Sequence, residues 1–298
     1  MDQNRTTAIA TSLIIASGVI WGFYWLPVRM LAEAGLPGAW GTFTITAAAA
    51  LLLAPFAAWH HQNLRDASFL AIAAVALGGA AFALYSIAFL YGRVAIVVLL
   101  FFLTPVWSTL IGRYIFGWPT PPMRLFAIAA GLLGLGVMLS AGGDWPIPRN
   151  GGEWMGLVSG IMWSLSSTGM QTRSTLVPQT AAFVFVLGAV VTSLVIALIF
   201  TPLADIGWWT PTLPIAFATG AVWWGAALLG LMWATVRLEP ARVGILLMSE
   251  VLVGALSAAL IAGEHLSTRE LIGGGLVLAA GVLEIYAIKD RSRATGRS

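Results

Sequence analysis

The chain has 298 residues, 59% of them hydrophobic and 9% charged, with a mean hydropathy of +0.91. Soluble domains carry about a quarter charged residues, so this composition excludes a water-soluble globule and makes lipid part of the solvent. The net charge of +3 comes from basic residues scattered singly at segment ends, which excludes a nucleic-acid patch, and the lack of cysteine excludes a disulfide framework and a thiolate metal site.

A membrane helix needs roughly 20 apolar residues. Runs of that kind predict ten spans, at 8–31, 38–59, 67–91, 93–116, 121–140, 152–173, 180–200, 212–237, 241–262 and 269–289. The first run exceeds a signal-peptide core and no small-residue cleavage site follows it, so it reads as a retained span. The connections are short and rich in turn formers, such as Gly35-Leu36-Pro37-Gly38 and Pro119-Thr120-Pro121-Pro122. The stretch from Asp144 to Gly152 links the two halves, and none of the connections has room for a soluble domain.

Span 1 contains Ser17-Gly18-Val19-Ile20-Trp21, and span 6 repeats it as Ser159-Gly160-Ile161-Met162-Trp163, 142 residues later. At a shift of 146, Ala95 falls on Ala241, Thr104 on Glu250, Gly117 on Gly263 and Leu125 on Leu271. Each copy opens a half of five spans, residues 1–145 and 146–298. Five is odd, so the halves must enter the bilayer with opposite orientation, an architecture of many secondary transporters. With both termini cytoplasmic, 11 basic residues lie inside and four (Arg29, Arg93, Arg149 and Arg269) outside, as the positive-inside rule requires. Trp40, Trp59, Trp118, Trp145, Trp154, Trp208 and Trp209 fall at span ends, where they read as interfacial anchors.

Several residues invite a chemical reading. Trp21 and Trp25 share a face of span 1, and Trp163, Ser166, Ser167 and Met170 form a similar stripe on span 6. Gly18-x-x-x-Gly22 and Gly156-x-x-x-Gly160 permit close helix approach. Trp21 and Trp163 either stack on an apolar substrate in a central cavity or simply pack in the bundle. Phe82 and Tyr85 of span 3 add aromatic surface to such a cavity, while Trp223, Trp224 and Trp233 of span 8 read chiefly as packing. Glu250, in mid-span 9, marks a proton or ammonium site, or else a structural carboxyl bonded to a neighbouring helix. Ser249 beside it is a further polar candidate, and Glu284 lies nearer the cytoplasmic end. Pro27 and Pro105 interrupt spans 1 and 4, as hinges or as static bends. Gly131, Gly134 and Gly273 to Gly275 suit tight contact between spans 5 and 10.

Some chemistry is not written here. His60, His61 and His265 all fall at span ends, and the chain lacks a His-Glu-x-x-His motif, a Gly-x-Ser-x-Gly elbow and a phosphate-binding loop. No catalytic residue, metal or cofactor is expected. A multidrug exporter would want a carboxylate in the first helix, and Glu33 is placed in the loop. An intramembrane enzyme would need a partner for Glu250, and a membrane scaffold would not need the duplication.

Ala241, Ser249-Glu250-Val251, Gly263-Glu264-His265-Leu266-Ser267 and Leu271-Ile272-Gly273 resemble the second EamA repeat of the drug/metabolite transporter superfamily. Ala95, Thr104-Pro105-Val106 and Gly117-Trp118-Pro119-Thr120 form a weaker first copy, and together the two cover nearly the whole chain. Within the superfamily the chain most resembles the ten-helix bacterial exporters of aromatic and other neutral amino acids, of the YddG type. The resemblance implies a monomeric, multi-pass protein of the bacterial inner membrane that exports an aromatic or large apolar amino acid by alternating access. In that reading Trp21, Phe82, Tyr85, Trp163 and Ser166 bind substrate, and Ser249 and Glu250 hold its polar end. The family's carboxylate-proline pair is split here between Glu250 and Pro105, which implies a cycle with unlike residues in its two halves.

Overall fold

The computed structural model describes residues 3–115, 117, 122–142, 145–173, 176–201, 212–235, 237–238 and 240–295. Trp118, Pro119, Thr120, Asp144, Trp208 and Trp209 lie outside these, as does the side chain of Glu284. All regular structure among the described residues is helical. In chain order the α-helices are α1 (Gln3–Gly22), α2 (Trp25–Glu33), α3 (Ala39–Trp59), α4 (His61–Asp66), α5 (Phe69–Tyr91), α6 (Val94–Phe101), α7 (Thr104–Tyr114), α8 (Pro122–Leu139), α9 (Gly151–Arg173), α10 (Pro178–Phe200), α11 (Thr212–Thr219), α12 (Leu228–Thr235), α13 (Pro240–Leu260) and α14 (Thr268–Thr295). A π-helical segment, Gly220–Ala227, joins α11 to α12.

Six stretches among the described residues are long and apolar enough to cross a bilayer: Arg5–Glu33, Ala39–Trp59, Phe69–Tyr91, Val94–Tyr114, Pro178–Phe200 and Thr212–Ala234. The chain is a multi-pass membrane protein. Its outward surface agrees, since α10 exposes Leu198, Ile199 and Phe200, which only a lipid solvent accommodates without cost. Helices α8, α9, α13 and α14 fall where spans 5, 6, 9 and 10 are expected from sequence.

Three spans expected as single helices are interrupted, and the connection after span 2 contains the short helix α4. The interruptions in spans 1 and 4 have the same cause. Pro27 has no N–H for the Phe23 carbonyl four residues back, and its ring crowds that oxygen. The chain therefore turns at Phe23-Tyr24, where Phe23 N–H bonds Ile20 O (3.1 Å) and Leu26 N–H bonds Phe23 O (3.0 Å). Pro105 acts likewise on Phe101, whose carbonyl accepts the Thr104 hydroxyl instead (2.6 Å). Both prolines thus lie in the first turn of a new helix, where proline fits, and not in the middle of a bent one.

Helix pairing follows a regular scheme. Span 3 packs on span 6 (α5 on α9), and span 8 packs on span 1 (the π segment and α12 on α1). Span 4 packs on span 6 (α6 and α7 on α9), and span 9 packs on span 1 (α13 on α1). Span 3 packs on span 7 (α5 on α10), and span 8 packs on span 2 (α11 and the π segment on α3). The pairs α3–α10 and α8–α14 bring spans 2 and 7, and spans 5 and 10, together. Small residues set these distances. A Cβ on Gly18 would meet the Ser249 hydroxyl and one on Gly22 would meet Val253, while Gly156 and Gly160 lie against Val97 and Phe101. Gly134 abuts the Gly273 carbonyl in the α8–α14 contact. Gly117 and Gly263, matched at the shift of 146, both have φ +66°, the left-handed conformation that ends a helix most easily at glycine.

One end of the bundle is tied by charge. Glu264 accepts the amides of Val94 (2.8 Å) and Ala95 (3.2 Å), capping α6, and also pairs with Arg29 at 3.3 Å. Arg93 pairs with Glu270 and donates to the His265 carbonyl. At the same end Arg269 donates to Ser140 O, and the Gly38 turn lies against Thr201 and Tyr91. The chain around Gly38, Gly92, Ser140, Thr201 and Glu264 therefore gathers at this end.

Candidate functional site

Phe82 of α5 is the centre of an aromatic cluster. Its ring meets those of Trp21 (5.1 Å), Tyr85 (6.2 Å), Phe101 (5.5 Å), Trp163 (5.1 Å), Phe185 (5.3 Å) and Trp224 (6.4 Å), mostly edge to face. Edge-to-face pairs of this kind contribute about 0.5 to 1.5 kcal/mol each beyond simple burial. The rings come from α1, α5, α6, α9, α10 and the π-helical segment, so helices from both ends of the chain build the cluster. Trp21 and Trp163, the matched tryptophans of the repeated phrase, touch Phe82 at the same distance of 5.1 Å.

Span 9 adds a carboxyl group. Glu250 is 6% exposed and accepts a hydrogen bond from the Tyr85 hydroxyl at 3.3 Å. Tyr85 in turn stacks on Phe101 at 4.4 Å and is itself buried. The carboxyl thus sits at the edge of the ring cluster, held by a phenol and not by a cation.

A second polar chain flanks the first. Trp224 donates its indole N–H to the Tyr24 hydroxyl (2.9 Å), Ser86 donates to the same oxygen (3.1 Å), and Thr42 lies 2.8 Å from Ser86. Trp223 donates to the Ile20 carbonyl (2.7 Å), an oxygen exposed by the turn at Phe23-Tyr24. Ser17 donates to Ala227 O at 3.1 Å, the far end of the π segment. The distortion in span 8 is therefore bonded to the one in span 1 at two places and to the body of α1 at a third. π-Helical turns are rare and concentrate at functional sites.

Of the residues singled out from sequence, Trp21, Phe82, Tyr85, Trp163 and Glu250 converge on this cluster. Ser166 does not offer its hydroxyl there: it donates to Ala74 O at 2.7 Å and fastens α9 to α5. Ser249 donates to Leu246 O within its own helix, beside Gly18, in the α1–α13 contact. Glu33, placed in a loop by sequence, is the last residue of α2. Trp223 and Trp224 are bonded members of the site and not packing alone, whereas Trp233 lies at the opposite end under Arg237, 3.9 Å from the guanidinium.

Sequence reasoning missed Tyr24, Phe101 and Phe185. Phe101 stands in the unbroken apolar run Val94–Phe101, where no polar neighbour marks a face. Phe185 belongs to span 7, which offers no motif, and Tyr24 follows directly on the phrase that identified Trp21. No group of three or more metal-ligating side chains occurs among the described residues.

No curated protein matches the chain. A crystal structure of a protein 17% identical to it aligns with a TM-score of 0.61, covering 92% of this chain and 95% of that one. At that identity the likeness shows a shared fold alone. Residues 8–140 match the sequence model of the EamA-like transporter family, of the drug/metabolite transporter superfamily, and the match ends within the first five spans.

Proposed function

We propose that the chain is a secondary transporter of ten spans, built from inverted halves at 1–145 and 146–298 with both termini cytoplasmic. The exchange of helix partners between the halves supports this, since the packing of spans 3 and 4 on span 6 recurs as that of spans 8 and 9 on span 1, and the packing of span 3 on span 7 as that of span 8 on span 2. The matching φ of Gly117 and Gly263 supports it as well. The EamA match over residues 8–140 points to small-molecule transport.

The observation that carries the substrate reading is the Phe82 cluster with Glu250 at its edge. Rings from both halves form an apolar seat, and the carboxyl offers acceptor positions to an ammonium group. A neutral amino acid with an aromatic or large apolar side chain fits both features. Its export from a bacterial cell by alternating access, through a monomer, is the working mechanism. The interruptions ahead of Pro27 and Pro105, with the π segment bonded to the first of them, supply jointed helices for such a motion. Ser166 and Ser249 serve as fasteners in this scheme and Trp21, Phe82, Tyr85, Trp163 and Glu250 as the binding surface.

A lipophilic cation is the second reading, because a carboxyl among aromatic rings also suits a cation without other polar groups. Counterflow in proteoliposomes with a labelled amino-acid panel separates the two. Exchange of phenylalanine or leucine supports amino-acid transport. Exchange of a lipophilic dye with none of the amino acids overturns it.

A further inference from the structure

The indoles of this protein are well supplied with acceptors where they can be compared. Trp25 donates to Ser257 (2.9 Å), Trp223 to Ile20 O (2.7 Å) and Trp224 to Tyr24 (2.9 Å). Trp21 is different: it is 3% exposed, yet its Nε1–H is buried with no partner among the described residues. Trp107 shares that condition, but Trp21 is the one whose ring rests against Phe82. Buried donors in native proteins are bonded with few exceptions, and an unbonded one within a binding surface asks for a ligand atom.

We propose that the Trp21 indole N–H is the donor for the substrate's acceptor oxygen, so that the transported molecule must carry an ammonium and a carboxylate or carbonyl together. This rests on the transport reading above and sharpens it. Glu250 takes the ammonium, and the Phe82 cluster takes the apolar side chain. Trp21 then recognises the group that separates an amino acid from a plain lipophilic amine. A site built to bond a polar group rejects an analogue lacking that group, because the site's own donor is left buried and unpaired. Trp21 is in this sense a specificity-determining residue, in addition to its part in ring packing.

The test compares phenylalanine with phenethylamine, which has the same ring and ammonium but no carboxylate. Each competes for exchange in proteoliposomes of the full chain. The wild type should favour phenylalanine by about tenfold or more, the worth of one well-made hydrogen bond. In Trp21→Phe the ratio of the two affinities should collapse toward one. Replacing Trp21 with 3-benzothienylalanine, which keeps the outline and puts sulfur where the N–H was, should do the same and guards against a packing defect. If either folded variant keeps the wild-type ratio, the donor role is overturned, even where both affinities fall together. If the wild type exchanges both solutes equally well, transport stands and the inference falls. If it exchanges neither of these nor any other amino acid of the panel, the transport reading fails and takes the inference with it.

Discussion

Trp224 hands its indole proton to the hydroxyl of Tyr24 at 2.9 Å, joining the π-helical stretch of span 8 to the turn that divides span 1. Two independent departures from α-helical geometry, in different halves of the chain, thus share one hydrogen bond. Each exposes backbone or side-chain groups that the other satisfies.

Tyr24→Phe should destabilise the protein more than Ser86→Ala. The first change strands the Trp224 N–H and removes the acceptor of Ser86, whereas the second leaves Tyr24 still bonded to Trp224. A buried donor left without a partner costs about 1 to 3 kcal/mol. Thermal unfolding in detergent reads the order, and a larger loss for Ser86→Ala would contradict it. In the double-mutant cycle of Tyr24→Phe with Trp224→Phe, the costs should fall short of additive, because the second change removes the orphaned donor.

Glu264→Ala should uncap α6. The carboxylate serves two first-turn amides and Arg29 at once, and loss of a helix cap costs about 1 kcal/mol. Hydrogen exchange of the Val94 and Ala95 amides should accelerate, while amides in α10 stay protected. Glu264→Gln should fall between, since it keeps an acceptor but not the charge opposite Arg29. Unchanged exchange at Val94 in Glu264→Ala would show that this end holds without the cap.

Close helix approach should make certain glycines intolerant of a methyl group. A Cβ on Gly79 would run into the Phe185 carbonyl and one on Gly188 into that of Ala76. Backbone atoms cannot turn aside as side chains can, so both alanine variants should lose at least about 1 to 3 kcal/mol and express poorly. Gly136→Ala and Gly275→Ala meet nothing within 4 Å and should be neutral or stabilising by up to about 1 kcal/mol, as alanine is the better helix former. Monodisperse yield by size-exclusion chromatography distinguishes the two groups.

Glu250→Gln should impair exchange far more than Glu284→Gln, at equal expression. Tyr85→Phe should impair it less than Glu250→Gln, since it removes a hydrogen bond to the carboxyl and leaves the carboxyl in place. Equal activity of the Glu250 and Glu284 variants would remove Glu250 from the mechanism.

Residence in the membrane, the all-helical class and the recurrence of a short phrase could all be read from residues alone. Apolar runs measure out spans, and the phrase shared by Ser17–Trp21 and Ser159–Trp163 needs no coordinates. The interruptions of spans 1 and 4 were half legible, because Pro27 and Pro105 announce a defect but not its form, whereas the π-helical segment of span 8 had no such signal. Local proline chemistry predicts the lost bond. Only the surroundings determine that the chain starts a fresh helix.

What tertiary structure decided was which side chains meet. A helix buried on every side carries no polar stripe, so its sequence does not tell how it is rotated. Rotation is set instead where glycines let backbones touch, as Gly22 does on Gly254 and Gly160 on Phe101. Those contacts bring Phe101 and Phe185 to Phe82, turn Ser166 toward the Ala74 carbonyl, and set Glu250 against Tyr85. Sequence settled the solvent because hydropathy is a property of one strand of residues, whereas a ring cluster fed by six helical segments exists only once the helices have packed.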